Sequence, residues 1–141
     1  MTDGSETPEV SVRIFGGQTS SIRAARLFVR QAAAEVLDLA GPESELQDDL
    51  ELAVSELVTN AIEHGLEEPV TVIVAATADT VVVSVRSVRT PVGISDPSTW
   101  ASPLPTVRTG RGLAIVRSIS DEVAVDADDA TVTVHCTFRL R

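Results

Sequence analysis

Glu56 and Asn60 stand four residues apart in the segment Asp48-Asp49-Leu50-Glu51-Leu52-Ala53-Val54-Ser55-Glu56-Leu57-Val58-Thr59-Asn60-Ala61-Ile62-Glu63-His64-Gly65. On a helix, positions i and i+4 share a face. A carboxylate and an amide so placed can address one small polar object together, such as a metal ion with its water. Seen alone, the pair reads better as an ordinary polar helix edge. His64 lies one further turn along, where a helix-end histidine can also simply meet the terminal carbonyls. A second candidate is Thr109-Gly110-Arg111-Gly112-Leu113, ahead of another apolar stretch. Glycines before a helix let backbone N–H groups approach an anion, and the helix dipole favours negative charge there. Gly-x-Gly by itself is equally a structural turn.

The elements that carry these residues follow from periodicity. Val10-Ser11-Val12-Arg13-Ile14-Phe15 alternates and is β-rich, so it reads as a strand broken by Gly16-Gly17. Ser20 or Ser21 can cap a helix to about Leu39, with Ile22, Ala25, Val29, Ala32 and Val36 on one face. Gly41-Pro42 ends it. Ser44 can cap the helix bearing Glu56, which runs to about His64, with Gly65 as its C-terminal break. Its apolar stripe is Leu46, Leu50, Ala53, Leu57 and Ala61, and Glu56 and Asn60 flank that stripe. Val70 to Ala75 and Val81 to Arg86 form a hairpin, and a stretch rich in proline, Ser87 to Thr109, follows. A loop that long inside a compact domain is usually functional or mobile. Helix Leu113 to about Ser120 and a last strand pair, Val123 to Val125 and Ala130 to Leu140, complete the order. Hairpin-joined strands with grouped helices predict an α+β two-layer sandwich, with one sheet face under the helices and the other open to solvent or a partner.

Composition narrows the function classes. A chain of 141 residues suggests one domain. With no Tyr, one Trp and three Phe, its core must be aliphatic. All 11 basic residues are Arg, the net charge is -10, and no basic residue occurs between Arg30 and Arg86. Nucleic-acid binding draws on a basic surface, so direct nucleic-acid binding is not expected. The acidic stretch from Glu35 to Asp79 suits a basic protein partner or a hydrated cation, or simply aids solubility. Cys136 is the only cysteine, which excludes an internal disulfide, and it reads as a small core or edge hydrophobe. Residues 1–9 read as a disordered lead without a signal-peptide pattern, and no apolar run reaches the ~20 residues of a membrane span. The expected location is the cytoplasm, and the expected organisation is a single domain over 10–141.

In combination, Glu56-Leu57-Val58-Thr59-Asn60-Ala61-Ile62-Glu63-His64-Gly65 and Gly110-Arg111-Gly112-Leu113-Ala114-Ile115-Val116 resemble the motifs of the ATP-binding domain shared by histidine kinases, Hsp90, gyrase B and MutL, the Bergerat fold. Within that superfamily the chain is similar to the small bacterial anti-sigma-factor serine kinases, from about Val10 to Leu140. The resemblance implies that Asn60 coordinates Mg²⁺ bridging the phosphates of ATP. It implies that Glu56 is the general base toward a serine on a partner. Gly110, Arg111, Gly112 and Leu113 would form the phosphate-binding box, His64 would lie near the phosphates or lid, and Thr131 near the adenine. The lid would span about 88–109, with Trp100 packing it down or meeting a partner. The implied partners are a sigma factor and an anti-anti-sigma (STAS-like) protein, and the family's tendency to dimerise implies that a homodimer could use the open sheet face or edge.

The first glycine box departs from the family pattern. Ser87 stands where an Asp accepts a hydrogen bond from the adenine amine, Arg89 where the first glycine falls, and Gly93 is the only glycine nearby. Ala130 replaces a glycine before Thr131. A charge-assisted hydrogen bond is worth roughly 1.5–3 kcal/mol against about 1 for a neutral one, so the change would weaken adenine binding ~10- to 100-fold. Two readings therefore stand side by side: an active serine kinase, and a degenerate pseudo-kinase that binds partners with weak or no ATP binding.

Overall fold

Valine-rich alternation builds the sheet. The computed structural model describes residues 9–36, 44–64, 68–88 and 108–140. In β2 (Val70–Ala76), Val70, Val72, Val74 and Ala76 are buried while Thr71, Ile73 and Ala75 are half-exposed. This period of two assigns one set to a covered face and the other to an open one. β3 (Thr80–Val88) repeats the pattern with Val81, Val83 and Val85. The link between the two is fastened by Thr77, whose N–H donates to the Thr80 carbonyl at 2.9 Å and whose hydroxyl oxygen accepts from the Asp79 and Thr80 N–H groups at 3.2 Å.

The remaining elements are β1 (Glu9–Phe15), α1 (Ser20–Val36), α2 (Ser44–His64), α3 (Arg108–Ile119), β4 (Glu122–Ala127) and β5 (Thr131–Arg139). The strands order as β1-β2-β3-β5-β4. Among the described residues every neighbouring pair is antiparallel. The fold is the expected α+β two-layer arrangement. α1 and α2 lie on the face of β2 and β3 that carries the buried valines, and α3 packs on α2.

The core is aliphatic, as the scarcity of aromatics requires: Ala25, Val29, Ala33, Leu50, Ala53, Val54 and Val58 from the helices meet Val72, Val81, Val83 and Cys136 from the sheet. Phe15 and Phe28 add one edge-to-face contact, 6.0 Å between centroids. Ser21 does not serve as a simple cap. Its hydroxyl donates to the Gly16 carbonyl at 2.7 Å and ties the β1–α1 link. Among the described residues no helix covers the opposite face of the sheet; Ser84 and Thr133 are buried there, while on β1 it exposes Val10, Val12 and Ile14 at 55%, 57% and 67%. Among the described residues no helix is long and apolar enough to cross a membrane.

α2 has the expected bounds. α3 differs: it begins at Arg108 rather than Leu113, so Gly110 and Gly112 lie inside the helix and not ahead of it. Val88 belongs to β3, and Arg108 and Thr109 to α3, which trims the expected lid at both ends. The rest of that segment, with Arg89, Gly93 and Trp100, lies outside the described residues, as does the 1–8 part of the expected N-terminal lead.

Candidate functional site

α2 is locked by its apolar stripe. Leu50, Ala53, Leu57 and Ala61 are buried as the spacing predicts, and Val54 and Val58 widen the stripe. Fixing that stripe against the sheet leaves Glu56 and Asn60 at its flank, both half-buried and one helical turn apart. Thr59, between them, returns its hydroxyl to the Ser55 carbonyl at 2.6 Å. The pair is thus held on a rigid element, at a boundary where a polar group keeps access to solvent.

α3 supplies the facing wall. Gly112 sits against Glu56 so closely that a Cβ at position 112 would lie 2.7 Å from Glu56 Oε2. Val116, one turn later, is fully buried and anchors α3 to the core. Leu113 is partly buried and packs on the same cluster. The first turn of a helix leaves N–H groups without intrahelical partners. In α3 that turn contains Gly110, whereas Gly112, in the second turn, has its N–H inside the helical ladder. The expected row of glycine N–H donors is therefore shortened, because the helix has wound through the motif. The side chains of Arg111 and His64 lie outside the described residues.

The β3–β5 side is different in kind. Ser87 lies in β3, half-buried, in register with Val132 of β5. Directly paired residues of an antiparallel ladder share a face. Val81 pairs with Phe138, Val83 with Cys136 and Val85 with Val134, all buried, so Ser87 and Val132 continue the helix-covered face. Thr131 pairs with Val88 and falls on the open face instead. Its hydroxyl bonds Asp128 at 3.2 Å in the β4–β5 turn. Asp128 accepts the N–H groups of Thr131 and Ala130 at 2.7 and 2.8 Å, and these bonds hold its carboxyl below the usual carboxylate range. Thr131 and Ser87 are thus not brought together. The neighbour of Ser87 is Val132, a residue that strict alternation through Thr131-Val132-Thr133-Val134-His135-Cys136 would have revealed.

Other polar groups lie elsewhere. Arg30 bridges Glu51 and Asp48 across α1 and α2. The groove beside that bridge is lined by Arg23, Arg26, Leu27 and Glu51 and does not include Glu56 or Asn60. On the open face, His135 bonds Ser84 at 2.7 Å and Asp126 at 2.9 Å. Cys136 is fully buried, and burial pushes its thiol up to about 12, which makes it a core residue as expected.

The Asn60 amide and the Glu56 carboxylate offer hard oxygen donors of the kind that suit Mg²⁺, and the first turn of a helix such as α3 offers N–H donors of the kind that receive phosphate. On β3, Ser87 offers a hydroxyl in register with a valine. The chain belongs to the histidine kinase-like ATPase domain family, whose profile matches residues 19–138. Its relatives include anti-sigma F factors. It is 30% identical to that of Bacillus subtilis over 121 residues, covering 80% of this chain and 83% of the relative. It is likewise 30% identical to that of Clostridium acetobutylicum over 107 residues, covering 72% and 75%. The crystal structure of the RsbU and RsbW domains of Rv1364c from Mycobacterium tuberculosis shares the fold, with TM-score 0.67 and 21% identity. That match covers 94% of this chain and 32% of the other, so the chain spans about a third of that protein's length.

Proposed function

We propose that this chain is a cytoplasmic anti-sigma regulator that binds ATP with Mg²⁺ between α2 and α3 and phosphorylates a serine of an anti-anti-sigma protein. The observation that carries this reading is the half-buried Glu56–Asn60 pair on α2, with the Glu56 carboxylate laid against Gly112 of α3. Asn60 would hold Mg²⁺, and the first turn of α3 with Gly110 and Arg111 would receive the phosphates. ATP bound there supplies the phosphoryl group. Glu56 takes the proton from the serine hydroxyl as the serine oxygen bonds the γ-phosphorus and the bridge to the β-phosphate breaks, leaving ADP. In the unphosphorylated cycle the same surface system would hold a sigma factor. A homodimer would cover the exposed Val10, Val12 and Ile14 of the open sheet face.

A second reading is favoured by Ser87. With Val132 beside it and no acid, the adenine end is poorer in recognition than the phosphate end, as in a pseudo-kinase that acts by binding alone. Isothermal titration separates the two. Mg²⁺-dependent ATP binding that Asn60→Ala weakens on the order of 100-fold or more supports the kinase, since even outer-shell changes at metal sites cost 10–100-fold. No heat and no thermal shift at millimolar ATP would leave the pseudo-kinase.

A further inference from the structure

We propose that Gly112 is a positioning residue for Glu56: the missing side chain at 112 is a seat that sets where the Glu56 carboxylate lies. This rests on the reading of Glu56 as the base. The nearest atoms to a Cβ built at Gly112 are Glu56 Oε2 at 2.7 Å, Cδ at 3.6 Å and Cβ at 3.7 Å. All three belong to one side chain, so Glu56 lies along the α3 backbone from its Cβ to its carboxylate. A contact of 2.7 Å is closer than real Cβ atoms approach, and any larger residue at 112 displaces something.

What yields is the carboxylate. Leu57 and Val58 of α2 and Val116 of α3 are buried at 2%, 0% and 0%, and they belong to one core cluster that holds these helices. Oε2, by contrast, is the far end of a flexible chain at the solvent boundary. A methyl group at 112 would therefore swing Glu56 aside and leave the helix packing in place. Gly112 also has its N–H in the ladder of α3, so donation to a phosphate is not what the position requires of it. A general base must come within roughly 2.6–3.2 Å of the proton it takes, and a misplacement of about 1 Å can cost on the order of 100-fold in rate. Alanine is the better helix former. Gly112→Ala should accordingly leave α3 as stable or more stable while it disables the base, which a purely structural glycine would not do.

The test is a cycle in the full chain: wild type, Gly112→Ala, Glu56→Asp and the double variant, with ATP, Mg²⁺ and an anti-anti-sigma substrate. The expected result for Gly112→Ala is a fall in kcat of about 10- to 100-fold with the ATP Kd held within about twofold. Glu56→Asp lowers kcat in the wild type yet raises it in the Gly112→Ala background, because the shorter chain ends before the added methyl. Equal effects of Glu56→Asp in both backgrounds, or a loss carried wholly by ATP affinity, would overturn the proposal. If the wild type transfers no phosphate, the kinase reading fails, and thermal unfolding decides on the seat by itself. The seat predicts that Gly112→Ala raises Tm more in a Glu56→Ala background than beside Glu56; an identical shift in both overturns it.

Discussion

The α2–α3 contact and the β3–β5 ladder, which carry the two sets of candidate site residues, are built from different materials. At the α2–α3 end, Glu56 and Asn60 ride on a helix fixed by six buried apolar side chains, and Gly112 offers bare backbone to receive Glu56. At the β3–β5 end, recognition would depend on one strand residue, Ser87, whose ladder partner is the apolar Val132. The first end would draw on several groups held by two packed helices, so that a single substitution removes one group and leaves the others in place. The second would draw on one side chain, which a single substitution removes entirely. Phosphate chemistry and base recognition can therefore be lost separately within one fold.

The sharpest break in that comparison is Glu56→Ala. It should lower phosphotransfer by about 10²–10⁴-fold, the range for a general base, with ATP affinity unchanged in titration. An equal loss of affinity would mean that Glu56 holds the nucleotide and does not serve as the base. Ser87→Asp acts at the other end and in the other direction. Restoring an acid should tighten ATP about tenfold, since a gain of roughly 1.4 kcal/mol is one decade. Adding Val132→Thr should help further, because its hydroxyl would stand directly across the ladder. No tightening in either variant would remove Ser87 from the nucleotide site and leave the two ends unrelated.

These expectations differ in how much of their basis the sequence alone disclosed. α2 was readable to its ends, because a 3.6-residue stripe, Ser44 and Gly65 all agree, and its face followed from the same count. α3 was not. Glycines at 110 and 112 argue locally against helix by about 1 kcal/mol each, and packing on α2 overrides them. The Gly112–Glu56 contact joins residues far apart in the chain, and no local pattern announces it. The family motif implies a place near the adenine for Thr131, whereas the period of two in β5 turns it to the open face. That face is legible in another way: Ile14→Asp in β1 should dissociate a dimer in sedimentation while ATP binding persists, and an unchanged mass would show that the patch is not the contact.

The smallest expected effects come from two aspartates, one on α2 and one in the turn that leads into β5. Asp49 lies on α2, where desolvation, then Glu45 and Asp48, raise its pKa above 3.8. A raised folded-state value means that its contribution to stability is full at low pH and is lost as pH rises through it. At neutral pH the charge therefore works against folding, and Asp49→Asn should raise Tm slightly, with the gain gone below about pH 3.8. Asp128 anchors the turn that leads into β5, and its value is lowered from 3.8 by the N–H bonds of Thr131 and Ala130. Its contribution is present above that pH and lost as pH falls through the lowered folded value. Asp128→Asn should lower Tm at neutral pH, with the difference closing in acid. Opposite signs in thermal melts across pH would tie each carboxylate to its own surroundings. Parallel curves would mean that the overall charge of -10, rather than the local surroundings of each carboxylate, governs both.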